Sequence, residues 1–388
     1  MKALRPLLAA WLAAVVPAAH AYPYCDSPSR GLELYDEQQA MQRVFTGRKF
    51  AELDAHFAKV LQSHRDGKVS DAEAAAWFWM FSVSDAKREI LHQEWIAAFP
   101  KSEAAHLALA YHYVQRGWDG RGSDFGSQTS RTQFEAMARS FERALKALDA
   151  AEAVSPSPSI AWGKRLEVLK ATEGSEATAA LYAKGIRRFP RSVFIRTEYI
   201  EGASPHWGGT MENLRRIVEE ATPLSAEDRR YLEARVEHQM GMAYEYIAKS
   251  NERALPHYER AMAACVGVSA SADRAMGIYL RTNDYRGLVR AASRYLERHP
   301  VSGRALENRG YAYTQLADYP KGFADYTKAS QLGRGYAFDG LAWYYEVGAG
   351  GAPKDPRKAI ELYTIAHEKG EKGSKAKADR LRASLGAK

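Results

Sequence analysis

Three times this chain writes one phrase: Phe99-Pro100-Lys101-Ser102, Phe189-Pro190-Arg191-Ser192 and His299-Pro300-Val301-Ser302. Each copy follows one amphipathic stretch and precedes another. Proline lacks the amide proton that would continue the first helix, and it restricts the residue before it. The serine two positions later can accept from the free N–H groups that open the next helix. The phrase is helix-turn-helix punctuation, and it predicts a fold assembled from helical hairpins.

A second pattern lies inside the helices. A ring residue has a compact residue four positions before it and another three after it. Ala254/Tyr258/Ala261, Gly322/Tyr326/Ala329 and Ala359/Tyr363/Ala366 show it, with looser copies at Met137/Phe141/Ala144 and Thr178/Tyr182/Gly185. These offsets share one helix face. Compact residues let a neighbouring helix approach, and the ring fills the groove between hairpins. Such a stripe reads as core packing rather than a ligand box.

Helical spacing also marks Leu32 to Val44, Phe50 to His64, Asp71 to Phe81, Asp85 to Phe99 and Ser102 to Gln115. It continues over Thr132 to Val154, Ile160 to Thr172, Ser175 to Phe189, Met211 to Ala221 and Ala226 to Ile247. Strand-type alternation is nearly absent, so the expected class is all-α. Long insertions between helices are expected only at Gly117 to Ser130 and Glu201 to Thr210.

The first 21 residues read as a secretory signal: Lys2 and Arg5, an apolar run from Leu7 to Val16, and the small-x-small triplet Ala19-His20-Ala21. A membrane-spanning helix needs roughly 20 apolar residues, and this run is shorter and bracketed by Pro6 and Pro17. Cleavage after Ala21 is expected, which places the protein in the periplasm or outside the cell, with no later segment that spans a membrane. Cys25 follows Tyr22-Pro23-Tyr24, which does not fit a lipid-anchoring cleavage site. The only other cysteine is Cys265. In an oxidising compartment the two could pair; otherwise Cys265 ends an apolar stripe as a buried thiol.

Net charge is +8 for the whole chain. From Ala352 to Lys388 there are ten Lys/Arg against five Asp/Glu, so most of the excess sits at the end. That run fits the solvated face of a terminal capping helix, and a basic end can also seek an anionic surface. The remainder is near neutral, which argues against a nucleic-acid partner.

Residues 302 to 332 resemble a tetratricopeptide unit: Gly310-Tyr311-Ala312-Tyr313 on a first helix, Asp318-Tyr319-Pro320 at the turn, and Gly322, Tyr326 and Ala329 on a second. Residues 337 to 370 are similar to the Sel-one-like variant of that repeat, which has a longer glycine-rich turn. Ala337, Leu341, Ala342 and Tyr345 fit its first helix, Gly348 and Gly350 its turn, and Asp355, Lys358, Ala359, Tyr363, Ala366 and Gly370 the rest. The variant usually has valine after the second turn glycine, where this chain has Gly351. Farther upstream, Trp118, Arg121 and Gly122 fit a Trp-x-x-Arg-Gly turn, and Pro205, Trp207, Gly208, Gly209 and Thr210 fit a Pro-x-Trp-Gly-Gly-Ser/Thr turn. Together they resemble a bacterial family known only as a domain of unknown function, over about Tyr35 to Tyr246. That resemblance implies helical repeats and brings no established chemistry.

The candidate binding residues are Trp118 and Arg121 at one insertion and His206 and Trp207 at the other. Arginine can fork onto a carboxylate and indole can stack on a ring. The bland alternative makes both segments turns, with Trp207 packed beneath and Thr210 capping the helix that starts at Met211. Asp119 and Asp124 suggest calcium, but Arg121 occupies a position where the EF-hand loop needs an oxygen ligand. His106 and His112 are six apart and fall on different helix faces, a poor metal pair. No catalytic motif, metal site or cofactor-binding loop is present. The rings of Trp77 to Phe81 span every face of a helix, which implies burial or a partner patch.

The sequence thus predicts an α-solenoid of antiparallel helix hairpins, tetratricopeptide-like, with a signal over 1–21, an irregular helical-repeat domain over 22–248 and recognisable repeats with a basic cap over 249–388. The expected function is an exported, non-enzymatic scaffold that takes a protein or peptide partner in a groove. The alternative is a cell-envelope enzyme using the Trp118 and Trp207 segments as a substrate cleft.

Overall fold

The computed structural model describes Cys25 and residues 28–122, 128–265 and 269–386. The expected signal, and Ser123 and Asp124 of the first insertion, lie outside these residues. Among the described residues there are nineteen α-helices and no strand, as the all-α expectation requires. The first seven are α1 (Pro28–Thr46), α2 (Phe50–Arg65), α3 (Asp71–Phe78), α4 (Ala86–Ala98), α5 (Glu103–Arg121), α6 (Arg131–Val154) and α7 (Ser159–Thr172). Next come α8 (Gly174–Arg188), α9 (Val193–Gly202), α10 (Met211–Glu219), α11 (Ala226–Met242), α12 (Asn251–Ala264) and α13 (Ser269–Arg281). The last six are α14 (Tyr285–Arg298), α15 (Gly303–Gln315), α16 (Tyr319–Gln331), α17 (Gly335–Val347), α18 (Pro356–Glu368) and α19 (Ser374–Gly386). None is long and apolar enough to cross a membrane.

The serine punctuation works as its chemistry predicts. Ser102, Ser192 and Ser302 accept from the backbone N–H of Ala105, Ile195 and Ala305 at 3.1, 3.0 and 3.4 Å. Consecutive helices pack as hairpins: α5 on α6, α7 on α8, α15 on α16, α17 on α18. The chain divides into two compact units inside α12, between His257 and Tyr258.

In the first unit, α9 packs against both α7 and α11, and α3 reaches α5, α7 and α9. One buried carboxylate ties this centre together. Asp71, at the start of α3, accepts from Ser192 Oγ and from the backbone N–H of Val193 and Phe194 at 2.9 and 3.0 Å. It therefore caps α9, a helix 121 residues away in sequence. Helical periodicity does not mark α9, because Val193 to Thr197, Tyr199 and Ile200 are all buried, polar Arg196 and Thr197 among them, so that burial does not follow polarity.

Two sequence expectations need correction here. The helix from Ser102 does not stop at Gln115; α5 runs through Trp118 to Arg121 and ends at Gly122, whose φ of 79° closes it. Gly117 permits this, since a Cβ there would lie 2.3 Å from the Phe141 ring of α6. Trp77 to Phe81 are not one α-helix either: α3 ends at Phe78, and Trp79 to Phe81 tighten into a 3₁₀ turn. Phe78 and Phe81 are buried with Phe45, Phe57 and Trp95 in one aromatic cluster, ring centroids 4.9 to 6.3 Å apart. His92 joins that cluster fully buried, with no hydrogen-bond partner on either ring nitrogen among the described residues. Its ring lies 5.3 Å from that of His112, which is also buried and has Nδ1 2.6 Å from the Val83 carbonyl.

In the second unit the ring residues Tyr258, Tyr326 and Tyr363 are all buried among their small neighbours. A Cβ at Gly340 would sit 2.5 Å from the Tyr326 ring, so α17 can approach α16 only with glycine there. Gly348, Gly350 and Gly351 take φ of 75°, 62° and 96°, the left-handed values that the long turn requires. The basic end is a packed helix: α19 buries Ser374, Ala378 and Leu381, and Lys377, Arg380 and Arg382 pair with Asp339, Glu346 and Asp379. Cys25 and Cys265 are each buried, and among the described residues no cysteine is a free thiol.

Candidate functional site

Trp118 stands on the last turn of α5, partly buried against Tyr113, Val114, Met137, Phe141 and Val168. Its ring meets Phe141 edge-on at 5.4 Å, and its Nε1 donates to Glu167 Oε1 at 2.7 Å. Trp207 arrives from the other insertion, on a 3₁₀ turn that follows α9. Gly209 makes that turn possible, because a Cβ there would fall 2.1 Å from the Ala203 carbonyl oxygen. The Ser204 carbonyl accepts from Trp207 N and Gly209 N at 3.0 Å each, which aims the indole. Thr210 then caps α10 by accepting from Asn213 N at 3.0 Å, as the sequence predicts.

The two tryptophans meet, with ring centroids 6.1 Å apart in an edge-to-face arrangement. The Lys170 ammonium of α7 lies 5.6 Å from one ring centre and 5.4 Å from the other. Arg121 and His206 stand apart from this group. Arg121 donates to its neighbour's carbonyl, Gly122 O, at 3.2 Å, and His206 is exposed, its ring 6.4 Å from Tyr246.

Behind the indoles lies a set of charges that no motif announces. Lys164, Glu167 and Lys170 recur at threefold spacing on α7, Glu198 and Glu201 on α9, and Tyr231 and Arg235 at fourfold spacing on α11. Lys164 and Lys170 are themselves buried. Lys164 Nζ lies 2.5 Å from Glu167 Oε2 and 4.1 Å from the centre of the Tyr111 ring, and Lys170 pairs with Glu201. Glu167, Glu198 and Arg235 are closely surrounded by protein yet keep some solvent exposure.

Burial and the charge of Glu167 push the Glu198 carboxyl up to about 7, against the pull of Lys164 and Lys170. Burial also works against the charge of Glu167, but Lys164 and Lys170 outweigh it and hold its pKa below the usual carboxylate range. Burial opposes the charge on Lys170 as well, and Glu201, Glu167 and Glu198 overcome it, so the ammonium is held above its ordinary pKa. Two neighbouring carboxyls thus sit in different states near neutrality: Glu167 ionised, Glu198 half-protonated. Arg235 makes no hydrogen bond or ion pair among the described residues, and its Nε is buried without an acceptor. Glu198 likewise has no hydrogen-bond partner among them.

A separate half-open hollow of about 420 Å³ is lined by Arg116, Arg139, Arg143, Asp119 and Ser140, among others. It does not include the tryptophans or Lys170. Arg116 and Arg143 are already occupied by Glu89, which also accepts from Tyr113 Oη at 2.8 Å. The chemistry concentrates at Glu198 instead.

Among known proteins, a family described as a domain of unknown function (DUF4034) matches residues 37–173. That stretch contains Trp118, Lys164, Glu167 and Lys170 and ends before Glu198 and the Trp207 turn. No curated protein sequence matches the chain. Similar solved structures include a Sel1 repeat protein from Oxalobacter formigenes, 18% identical over 59% of this chain and 92% of that one, TM-score 0.32. Yeast Tom70 is 11% identical over 93% and 97%, TM-score 0.30. Human IFIT1, a dimer with m7Gppp-AAAA, is 12% identical over 92% and 86%, TM-score 0.38. By its own helix packing, this chain is an all-α protein of stacked helical hairpins, and residues 37–173 of it match that family of unknown function.

Proposed function

We propose that the protein is an exported helical-repeat scaffold that recognises a protein or peptide partner at the recess framed by Trp118 and Trp207. The observation that carries this reading is the convergence of both indoles on Lys170, near a carboxyl and a guanidinium that bond to no described residue. A buried guanidinium nitrogen without an acceptor is costly to keep, and sites of recognition are where folds keep such groups. Partner capture from cell-envelope extracts tests the reading. The mature wild type should retain a partner that the Trp207→Ala variant loses; identical retention by both sinks it. Export belongs to the same proposal. The protein recovered from outside the cytoplasm should begin at Tyr22, and a retained Met1 there would contradict it.

A second reading, an envelope enzyme, has its own support. Glu167 and Glu198 face one recess with their pKa values driven apart, the arrangement that divides base from acid between two carboxyls. Under that reading Glu198→Gln abolishes turnover of a substrate while leaving its binding in place. Under the scaffold reading no turnover accompanies capture.

A further inference from the structure

We propose that this recess binds a carboxylate-bearing ligand, clasped by the Arg235 guanidinium and taking a hydrogen bond from the Glu198 carboxyl. The inference rests on the recognition-site reading and names the ligand group the site takes. Its support is first geometric. Arg235 and Glu198 stand on neighbouring helices, α11 and α9, close enough for the charge of Glu198 to act on Arg235, and neither is bonded to any described residue. A guanidinium is always charged and offers five donors in a planar fork that fits a carboxylate. The other ionic groups of the recess are already satisfied: Lys164 by Glu167, Lys170 by Glu201, and Glu167 also by Trp118. What remains open is one fork and one carboxyl.

The charge count selects the ligand. With Glu198 protonated, Lys164, Lys170 and Arg235 face Glu167 and Glu201, and one positive charge is left over. Tyr111 of α5 and Tyr231 of α11, the remaining titratable groups that face Glu198, are held neutral by burial. A monoanion cancels the excess. A phosphate dianion overshoots beside two fixed carboxylates, and an amine meets the wrong sign. Protonated Glu198 can donate to a carboxylate oxygen, whereas ionised Glu198 repels it. Binding therefore draws a proton onto Glu198 and weakens as the pH rises through about 7.

Calorimetric titration of the full chain with N-acetylglycine tests this, with N-acetylglycinamide and inorganic phosphate as controls. The acid alone should saturate, and its affinity should fall about tenfold or more between pH 6 and pH 8.5. At pH 8 the heats in buffers of different ionisation enthalpy should report uptake of nearly one proton. Arg235→Gln should weaken binding about tenfold or more, and Arg235→Lys, which keeps the charge and loses the fork, should fold normally by circular dichroism and also bind more weakly. Glu198→Gln should bind with neither pH dependence nor proton uptake. Equal response to the amide or to phosphate, unchanged affinity in both Arg235 variants, or surviving pH dependence in Glu198→Gln would overturn the proposal. If N-acetylglycine does not bind while partner capture still depends on Trp207, the carboxylate assignment fails and the recognition site stands.

Discussion

At Glu198 the protein holds a carboxyl in a place where its charge is expensive, and linkage turns that into a stability signature. The native pKa, pushed up to about 7 by burial and Glu167, exceeds the ordinary 4.5. Between those values the native state holds more protons than the unfolded chain, so stability is full below 4.5 and is lost as pH rises to about 7. Glu198→Gln removes that slope. Denaturant melts at pH 8 should find the variant more stable than wild type by about 1–2 kcal/mol, a range reduced for the solvent that reaches the group. Equal stability would show that the carboxyl is not strained. His92 pulls in the opposite direction. Full burial, with His112 and Arg88 nearby, drives its imidazole well below the ordinary 6.5. The stability from a neutral His92 is therefore present above 6.5 and lost as the pH falls from there toward its native value. His92→Leu should flatten the acid limb of the melting profile, and an unchanged acid limb would mean that other groups control it. Neither residue belongs to a motif. Each is a single polar letter whose surroundings are visible only once distant helices are brought together.

Among the elements, α9 shows how far a sequence can be read. Its punctuation is explicit in Phe189-Pro190-Arg191-Ser192, and Ser192 caps it as the chemistry requires. The helix itself is silent, because a segment packed on α7, α11 and α3 leaves only Glu198 and Glu201 partly reached by water, too few to set a period. Yet α9 carries Glu198 and Glu201, so half of the recess was hidden with it. Trp118 and Trp207 were legible as unusual residues beside glycines, but their meeting depends on Gly117 letting α5 run on and Gly209 letting the chain fold back. The Asp71 cap is a contact of the same kind. Asp71→Ala deletes a buried acceptor of three hydrogen bonds and should cost about 2–4 kcal/mol. Because it anchors α9, it should also weaken partner capture at the recess. A loss under 0.5 kcal/mol in chemical denaturation, on the order of a neutral surface change, would mean that α9 needs no such anchor. In the second unit the repeat pattern told more. Tyr326 was marked by its small neighbours, and Gly310 and Gly340 close on its ring. Tyr326→Ala should destabilise by about 3–5 kcal/mol, as loss of a buried ring does, and a value near zero would contradict the groove-filling role.

For the whole molecule, the repeats settle the architecture because each hairpin needs a neighbour to bury its apolar face, and that need is written periodically. Function has no such period. A recess on a solenoid is assembled from single residues of several helices, so its parts are scattered through the sequence by one hairpin length or more. The cysteines join the two kinds of information. Two such residues in 388 are too few for a disulfide framework, and the choice between pairing and burial is open from sequence alone. Burial holds for both, and among the described residues neither is a free thiol, so the proposed Cys25–Cys265 pairing is the one that the proposed export to an oxidising compartment would allow. Protein recovered from an oxidising compartment and denatured without reductant should take up no alkylating reagent, and two equivalents after reduction. The same chain made without its first 21 residues, and so kept in the cytoplasm, should take up two equivalents from the start. Two reactive thiols in the exported protein would end the pairing, since denaturation removes burial as an explanation for unreactive sulfur.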